Sequence, residues 1–583
     1  MFKALRYMRS RHWAIFGVSL IFVFLQVFLD LKIPDYMSTI TRLVKTEGSS
    51  MSEIWRSGGM MLLCALGSMA VTIFSGFLSS LLAATFSRDL RERVFRRVEA
   101  FSMEEIDGFS TASLITRSTN DITQIQMFVS RGLQMIVRAP IMAFWAIYKM
   151  SSRQWEWSGL TALSVVVVVS VVVFVIRYAQ PRFRRMQSLT DDLNKVTREN
   201  MTGIRVIRAY NAEEYQQSKF DAANERLTRN ALQARRAMQV MRPVTGFVNN
   251  GLTIGIYCVG AFLIAKAVGA GAQLAIFSDM VVFSTYAAKL LMAVMCLEMI
   301  FMMVPRVSVS AGRINEVLET QPKILDGDRD AGEPGVRGTV EFRNVSFRYP
   351  GTQDDVLSDI SFKAEPGQTV AFIGATGSGK SSLVNLVPRL YDATAGQVLV
   401  DGVDVREYKQ EALHNKLGYA PQKAVLFTGT VASNVGYGDT PRTAEEIAEA
   451  VEIAQAKEFV ENMDLGYDGA IARGGTNVSG GQKQRLSIAR AVARRPEIYI
   501  FDDSFSALDY RTDKALRAAL KEKTAGTTTL IVAQRIGTIR DADQIIVLED
   551  GKIVGQGTHA ELMASCPVYQ EIAYTQLSEE DLK

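Results

Sequence analysis

Over the first half of the chain, polar positions repeatedly give way to long apolar runs, approximately at residues 13–33, 58–82, 133–150, 158–176, 247–268 and 277–304. A helix rises about 1.5 Å per residue, so about 20 residues cross a hydrocarbon core of roughly 30 Å. Each run is close to that length. Residues 165–176 are almost continuously aliphatic, and six such runs would overfill a soluble core. The pattern predicts six membrane-spanning helices.

Basic residues set their orientation. Lys3, Arg6, Arg9 and Arg11 precede the first run, Arg88, Arg91, Arg93, Arg96 and Arg97 follow the second, and Arg177, Arg182, Arg184 and Arg185 follow the fourth. Basic flanks stay in the cytoplasm, which puts both termini and the second half of the chain there. Segments 83–132 and 177–246 are too long for unstructured loops. Charges at helical spacing in 88–97 and 191–198 predict helices continuing out of the membrane. Each pair would be joined by a turn able to touch the cytoplasmic part, with 109–121 and 202–213 as candidate contacts.

Ionisable residues inside the bilayer are costly and point to a cavity or a partner. Lys289 and Glu298 lie in the sixth run beside Met280, Met292, Met295, Met299, Met302 and Met303. Flexible, polarizable methionines suit a wall facing varied apolar ligands, with ordinary helix packing as the alternative. Arg138, just before Pro140, reads as a helix-end anchor or as the partner of another helix.

Residues 321–338 are rich in Pro, Gly and Asp and read as a linker between domains at 1–320 and 339–583. Beyond it, 339–349 alternates like an edge strand, and short strand and helix patterns follow. Composition agrees with a membrane part fused to a soluble one: 48% of the 583 residues are hydrophobic and 22% charged. The net charge of +4 is small and no concentrated basic face stands out, which argues against nucleic acid as a partner. Cys64, Cys258, Cys296 and Cys566 are scattered, with neither zinc-site nor disulfide-framework spacing. The first apolar run is too long for a cleavable signal and reads as an anchor that stays.

The candidate chemistry starts at residues 374–381, Gly-Ala-Thr-Gly-Ser-Gly-Lys-Ser, which fit G-x-x-x-x-G-K-[ST] and follow the apolar run 369–373. This is a phosphate cradle. Glycines let backbone N–H groups turn toward an anion, the next helix adds its positive end, Lys380 reaches the terminal phosphates, and Ser381 can hold Mg²⁺. A second element, residues 497–501, is a buried-strand pattern ending in Asp502 and Asp503. Asp502 would bind Mg²⁺ at the mouth of a parallel sheet.

With Ser479-Gly480-Gly481-Gln482 between these elements, the chain resembles the ATP-binding cassette (ABC) half-transporters of the exporter type over essentially its whole length. The stretch is similar to the family's signature motif, with Val478 where Leu is usual. The resemblance implies an α-helical transmembrane domain of six helices, of the type I exporter kind, fused to an α/β P-loop nucleotide-binding domain. It also implies that the signature of one subunit closes over ATP held by the other. ATP would contact Gly374, Thr376, Gly377, Ser378, Gly379, Lys380, Ser381 and Ser382, with Tyr349 stacking on adenine. Ser381, Asp502 and Gln422 would serve Mg²⁺, Gln422 also reaching the attacking water, and Ser506-Ala507-Leu508-Asp509 looks like the loop that crosses the dimer.

Two positions depart from the family pattern. Asp503 stands where a glutamate is usual, and Gln534 where a histidine is usual; His12, His414 and His559 are the only histidines and none fits there. One methylene fewer withdraws the carboxylate by roughly an ångström, and a misplacement of about 1 Å can cost on the order of 10²-fold in rate. Glutamine hydrogen-bonds but cannot carry an imidazolium's charge. Arg473 also departs, standing where many members have Glu. The resemblance is closest to the degenerate-site subunit of heterodimeric bacterial exporters. It implies a multi-pass plasma-membrane protein, a partner with consensus catalytic residues, and a hydrophobic or amphipathic small-molecule or peptide substrate. Alternatives are a dedicated peptide or lipid exporter, a nucleotide-gated regulatory subunit, and a slow homodimer.

Overall fold

The computed structural model describes residues 5–45, 49–151 and 154–576, so Lys3 lies outside the described residues, as do the side chains of Arg184, Glu298 and Met302. The chain divides into two compact units. One comprises Met1–Glu99 and Ala112–Thr320, the other Ala100–Thr111 and Gln321–Lys583.

The first unit is helical. Its long helices are α1 (Ser10–Lys45) and α2 (Met51–Glu99), then, after shorter pieces, α3 (Leu133–Ser151), α4 (Trp155–Thr202), α5 (Glu213–Gln239), α6 (Met241–Lys266) and α7 (Ala270–Glu319). The 48 residues of α4 span about 72 Å, well beyond a bilayer core of roughly 30 Å. The excess is the charged continuation expected from 191–198. Among the described residues, five helical stretches are long and apolar enough to cross a membrane: Ser10–Val44, Met51–Glu99, Trp155–Thr202, Glu213–Lys266 and Ala270–Cys296. The third expected run is α3, which is not among these five; it has 19 residues and carries Arg138 and Lys149.

Those charges are paired rather than facing lipid. Arg138 reaches Asp30 at 3.2 Å and Lys149 reaches Asp35 at 2.8 Å, tying α3 to α1. Lys289 donates to the carbonyl of Asp30, and Tyr286 donates to the carbonyl of Leu31 at 2.9 Å and to Asp35 at 2.8 Å, which ties α7 to the same stretch. Arg138 is thus a partner of another helix. Ser19 meets Ser79 at 3.3 Å, and Asp30, further along α1, meets Ser68, further back along α2. The two helices therefore run antiparallel. Met292, Met295 and Met299 are exposed along α7, while Met280 is buried.

The second unit holds three sheets, one of them only the antiparallel pair β7 (Gly429–Thr430) and β8 (Ala470–Ile471). Of the other two, the smaller contains β1 (Val340–Phe347), β2 (Leu357–Ala364), β4 (Ala395–Val400) and β5 (Val403–Asp404), in the order β2-β1-β4-β5. The alternation at 339–349 predicts an edge strand, but β1 is interior and pairs antiparallel with β2 and β4. A period of two reports one buried face and says nothing of how many neighbours a strand has.

The larger sheet contains β3 (Thr369–Gly374), β6 (Leu417–Ala420), β9 (Ile498–Asp502), β10 (Thr528–Val532), β11 (Gln544–Glu549) and β12 (Lys552–Gly557), in the order β12-β11-β3-β10-β9-β6. All neighbours are parallel except β11 and β12. Val370 and Phe372 enter one apolar core while Ala371 and Ile373 enter another, so β3 is buried on both faces. That explains its continuous apolar run.

The Pro, Gly and Asp rich segment 321–338 is fastened to this unit. The N–H groups of Gly327, Arg329 and Glu333 donate to the carbonyls of Tyr408 (2.9 Å), Glu407 (2.9 Å) and Asp401 (2.8 Å). The short helix Met103–Phe109 belongs to this unit too. Its residues 104–107, just before the candidate stretch 109–121, make the contacts: Asp107 accepts from Tyr391 at 2.9 Å, Glu105 accepts from the Lys323 N–H at 3.3 Å, and Glu104 pairs with Lys323. Asp121 lies in the first unit, where Ser310 donates to it at 2.7 Å.

Candidate nucleotide site

β3 delivers the chain into the phosphate loop, and the helix Lys380–Leu386 leaves it. Two glycines are sterically required. A Cβ on Gly374 would lie 2.0 Å from the carbonyl of Leu548, and Gly379 has φ +94° with Leu357 and Val356 within 3 Å of where a Cβ would stand. Thr376 and Gly377 are exposed at the tip, while Ser378 and Lys380 are buried.

The Lys380 ammonium donates to the carbonyls of Gly374 (2.9 Å) and Ala375 (2.8 Å) and to Ser378 Oγ (3.2 Å). Burial pushes its pKa down, partly opposed by Asp503 and Asp502. Among the described residues Lys380 forms no direct ion pair; its only partners are neutral dipoles. A buried cation so placed fits an incoming phosphate, which would supply the missing charge.

Ser381 Oγ donates to Asp502 Oδ1 at 2.8 Å, at the end of the fully buried strand β9. Asp503 follows with φ +49°, in the left-handed region, its N–H bonded to the carbonyl of Val532 at 3.0 Å. Aspartate tolerates that conformation better than most residues. Its Oδ2 accepts from Gln534 Nε2 at 2.9 Å and, at the limit of hydrogen bonding, from Gln422 Nε2 at 3.5 Å. Burial raises the pKa of both carboxyls; for Asp502 the hydroxyl of Ser381 opposes this. The hydroxyl of Ser381, the carboxylate of Asp502 and the amide oxygen of Gln422 make an all-oxygen donor set suited to a hard cation such as Mg²⁺.

The structure therefore forms two hydrogen-bonded sets, Ser381 with Asp502 and Asp503 with Gln422 and Gln534, and places Lys380 where both acids act on it electrostatically. Tyr349 sits beside the following helix, its hydroxyl 2.9 Å from Ser382 Oγ. Among the described residues, Ser479, Gly480, Gly481 and Gln482 share no side-chain hydrogen bond with either set. Ser479 caps the helix Gly480–Ala493, and Ser479 and Gln482 satisfy each other: the Gln482 N–H donates to Ser479 Oγ (3.3 Å) and the Ser479 N–H to Gln482 Oε1 (2.8 Å). Ser479 and Gly480 are exposed, and Arg473 is exposed ahead of them.

Three residues that stand outside these sets and support their neighbours escape a reading of motifs. Gln484 is buried; its Oε1 accepts from the Ala507 N–H at 3.1 Å and its Nε2 donates to the carbonyl of Gln422 at 3.5 Å. It joins the signature helix to two loops of the acid site. Its position just after the signature was the available signal. Gln576 donates to the carbonyl of Gln534 (2.8 Å) and accepts from the Ile536 N–H (2.9 Å), so the last described helix steadies the switch position. Tyr391 packs on Tyr349, with ring centroids 5.3 Å apart at 87°. Neither Gln576 nor Tyr391 lies in a motif that points to its role.

Comparisons with known proteins agree with this geometry. Residues 16–295 match the family described as ABC transporter transmembrane region, and residues 357–506 match the family described as ABC transporter. An uncharacterized ABC transporter ATP-binding protein of Mycobacterium tuberculosis is 42% identical over 93% of each chain. A protein of Aromatoleum aromaticum named ATP-dependent lipid A-core flippase is 33% identical over 90% of this chain and 87% of its own. A solved structure, of a bacterial Atm1-family ABC exporter with ATP bound, superimposes with a TM-score of 0.80 at 22% identity, over 98% of this chain and 100% of that one, and so shares the type I exporter fold. The chain belongs to the ABC transporter family, as an ATP-hydrolysing exporter half-transporter that carries its membrane region and its nucleotide-binding domain on one polypeptide.

Proposed function

We propose that this chain is one half of a heterodimeric exporter in the bacterial plasma membrane, with its nucleotide-binding domain and both termini in the cytoplasm. Its own phosphate loop, Asp503 and Gln534 form a weakly hydrolysing site. Its Ser479 to Gln482 complete a competent site on the partner, which supplies the consensus glutamate and histidine. Tyr349 stacks on adenine, and residues 506–509 cross to the other subunit.

The single observation carrying this reading is the arrangement at Asp503. Its shortened carboxylate is engaged by Gln534, a neutral side chain, where a catalytic site needs a free base and a group able to take charge. Burial makes Asp503 more basic than an exposed aspartate, but its reach is unchanged. Ser381, Asp502 and Gln422 would hold Mg²⁺, which would supply charge neutralisation for the phosphates. Lys380 exchanges its carbonyl partners for phosphate oxygens, and the loop keeps nucleotide for long periods. ATP binding closes the two nucleotide-binding domains, and hydrolysis at the partner's site resets them.

The substrate is hydrophobic or amphipathic. The exposed Met292, Met295 and Met299 support a tolerant apolar path, and the relative named for lipid A-core supports an amphipathic lipid as one member of the class. The test is to purify the chain alone and together with candidate half-transporters from the same cell. Strong ATPase from this chain by itself would eliminate the heterodimer. Strong ATPase and dye or lipid transport in inside-out vesicles only from the pair supports it.

A further inference from the structure

Within the second unit, ring contacts and one hydrogen bond connect Tyr349 to the helix Met103–Phe109. Tyr349 lies at the start of this path, between Ser382 and an aromatic cluster: Phe347 is 4.8 Å away and Tyr391 5.3 Å, both edge-on, and Phe347 and Tyr391 are 5.6 Å apart. Edge-to-face contacts of this kind are orientation-sensitive. At the other end, the Tyr391 hydroxyl donates to Asp107 in the helix Met103–Phe109.

Both ends of the path are hydrogen-bonded in place. Arg389, two residues before Tyr391, is buried and donates to Asp392 at 2.8 Å and to the carbonyl of Leu325 at 2.8 Å. The loop carrying Tyr391 is thereby fastened to Leu325 of the same unit. The helix is closed at its start by Glu105, which accepts from the Ser102 N–H at 2.8 Å and from Ser102 Oγ at 2.6 Å, and Phe101 stacks on Phe109 across it. Burial, then the hydrogen bond to Asp107, raise the pKa of the Tyr391 phenol, so it remains a donor at any physiological pH.

We infer that Tyr391 is a positioning residue that couples occupancy of the base site at Tyr349 to the helix Met103–Phe109 through its hydrogen bond to Asp107. A base stacked on Tyr349 fixes that ring. The fixed ring favours one orientation of Tyr391, and only that orientation places the hydroxyl on Asp107. The ligand acts on the helix because it discriminates between two orientations of one ring, as any linked equilibrium requires. Among the described residues Tyr391 shares no hydrogen bond with Lys380, Ser381, Asp502, Asp503, Gln422 or Gln534, so its loss should spare hydrolysis and damage coupling.

The inference rests on the reading of Tyr349 as the base-stacking residue, and the two can fail separately. Tyr391→Phe keeps the ring and removes only the donor. In the assembled transporter in liposomes, Tyr391→Phe is expected to leave KM for ATP and basal kcat within about twofold while transport per ATP falls by about threefold to tenfold, the net value of one exposed hydrogen bond. Asp107→Asn should produce the same loss, and the double variant no more than either single one. In a second readout, amide exchange of residues 103–109 should slow when ATP is added in EDTA to the wild type, but not to Tyr391→Phe. Wild-type coupling in Tyr391→Phe, additive losses in the double variant, or equal protection in both proteins would overturn the inference. Tyr349→Ala with an unchanged KM for ATP would instead overturn the base-stacking reading beneath it.

Discussion

The two surfaces of this chain proposed to meet nucleotide are built in opposite ways. The phosphate loop and the acids beyond it are buried and mutually bonded, from Lys380 on its three acceptors to Asp503 under Gln534. The signature is exposed and satisfied by itself, through the reciprocal cap of Ser479 and Gln482. A helix start with its caps filled, its dipole pointing outward and open space around Gly480 needs nothing more from its own chain. The difference teaches that one surface is assembled by this domain's folding, while the other is left open, as the proposed completion by a second subunit requires.

The largest expected effect tests the outward surface. A Cβ at Gly480 would meet nothing within 4 Å, and an acid in the first helical turn is favourable to the helix. Gly480→Asp should therefore leave the thermal midpoint of the chain unchanged yet reduce ATPase of the assembled transporter by about 10²-fold, because the charge opposes a phosphate brought by the partner. Asp503→Ala should leave most of that ATPase standing. Equal losses in the two variants would erase the distinction between the surfaces.

Next in size is a gain. Asp503→Glu combined with Gln534→His restores the carboxylate's length and a side chain that can carry charge. ATPase of this chain's own site, measured with the partner's catalytic glutamate removed, should rise by about tenfold or more. No rise would mean that the defect lies elsewhere in the loop.

A smaller effect concerns the joint between the two surfaces. Gln484 connects the signature helix to Ala507 and Gln422, so Gln484→Leu leaves the Ala507 N–H without its acceptor. The cost is about 1 to 3 kcal/mol, read as a midpoint lower by a few degrees, and the Gly480 and Asp503 phenotypes should become less separable. An unchanged midpoint would make Gln484 a passive spacer.

Much of this was legible in the chain. The glycines at 374, 377 and 379 and the run into Asp502 announce a phosphate loop because backbone close to an anion tolerates few alternatives. Long apolar runs announce spans for a similarly strict reason, the cost of unpaired backbone in lipid. What escaped depends on partners distant in sequence. Nothing local distinguishes an edge strand from the interior β1, and nothing in residues 321–338 reveals that they are bonded to 401–408. Gln576 and Tyr391 act through residues far from them in sequence, Gln534 and Asp107, so motif spacing cannot find them.

The smallest effect probes the cost of burying the acids before nucleotide arrives. Burial raises the pKa of Asp502, so its neutral form suits the empty fold better than its charged form. A carboxyl whose folded pKa lies above its unfolded value contributes most at low pH, and that contribution is lost as pH rises through the folded value. Asp502→Asn, whose amide oxygen can still accept from Ser381, removes the dependence. Without nucleotide, its midpoint should exceed that of the wild type by about 1 to 2 °C at pH 7.5, and the two should converge near pH 4. With Mg²⁺ and ATP the order should reverse, since only the wild type then gains a cation at the carboxylate. A lower midpoint for Asp502→Asn in the empty protein at pH 7.5 would show that the charge is already compensated by Lys380, and that the loop does not depend on its ligand for electrostatic balance.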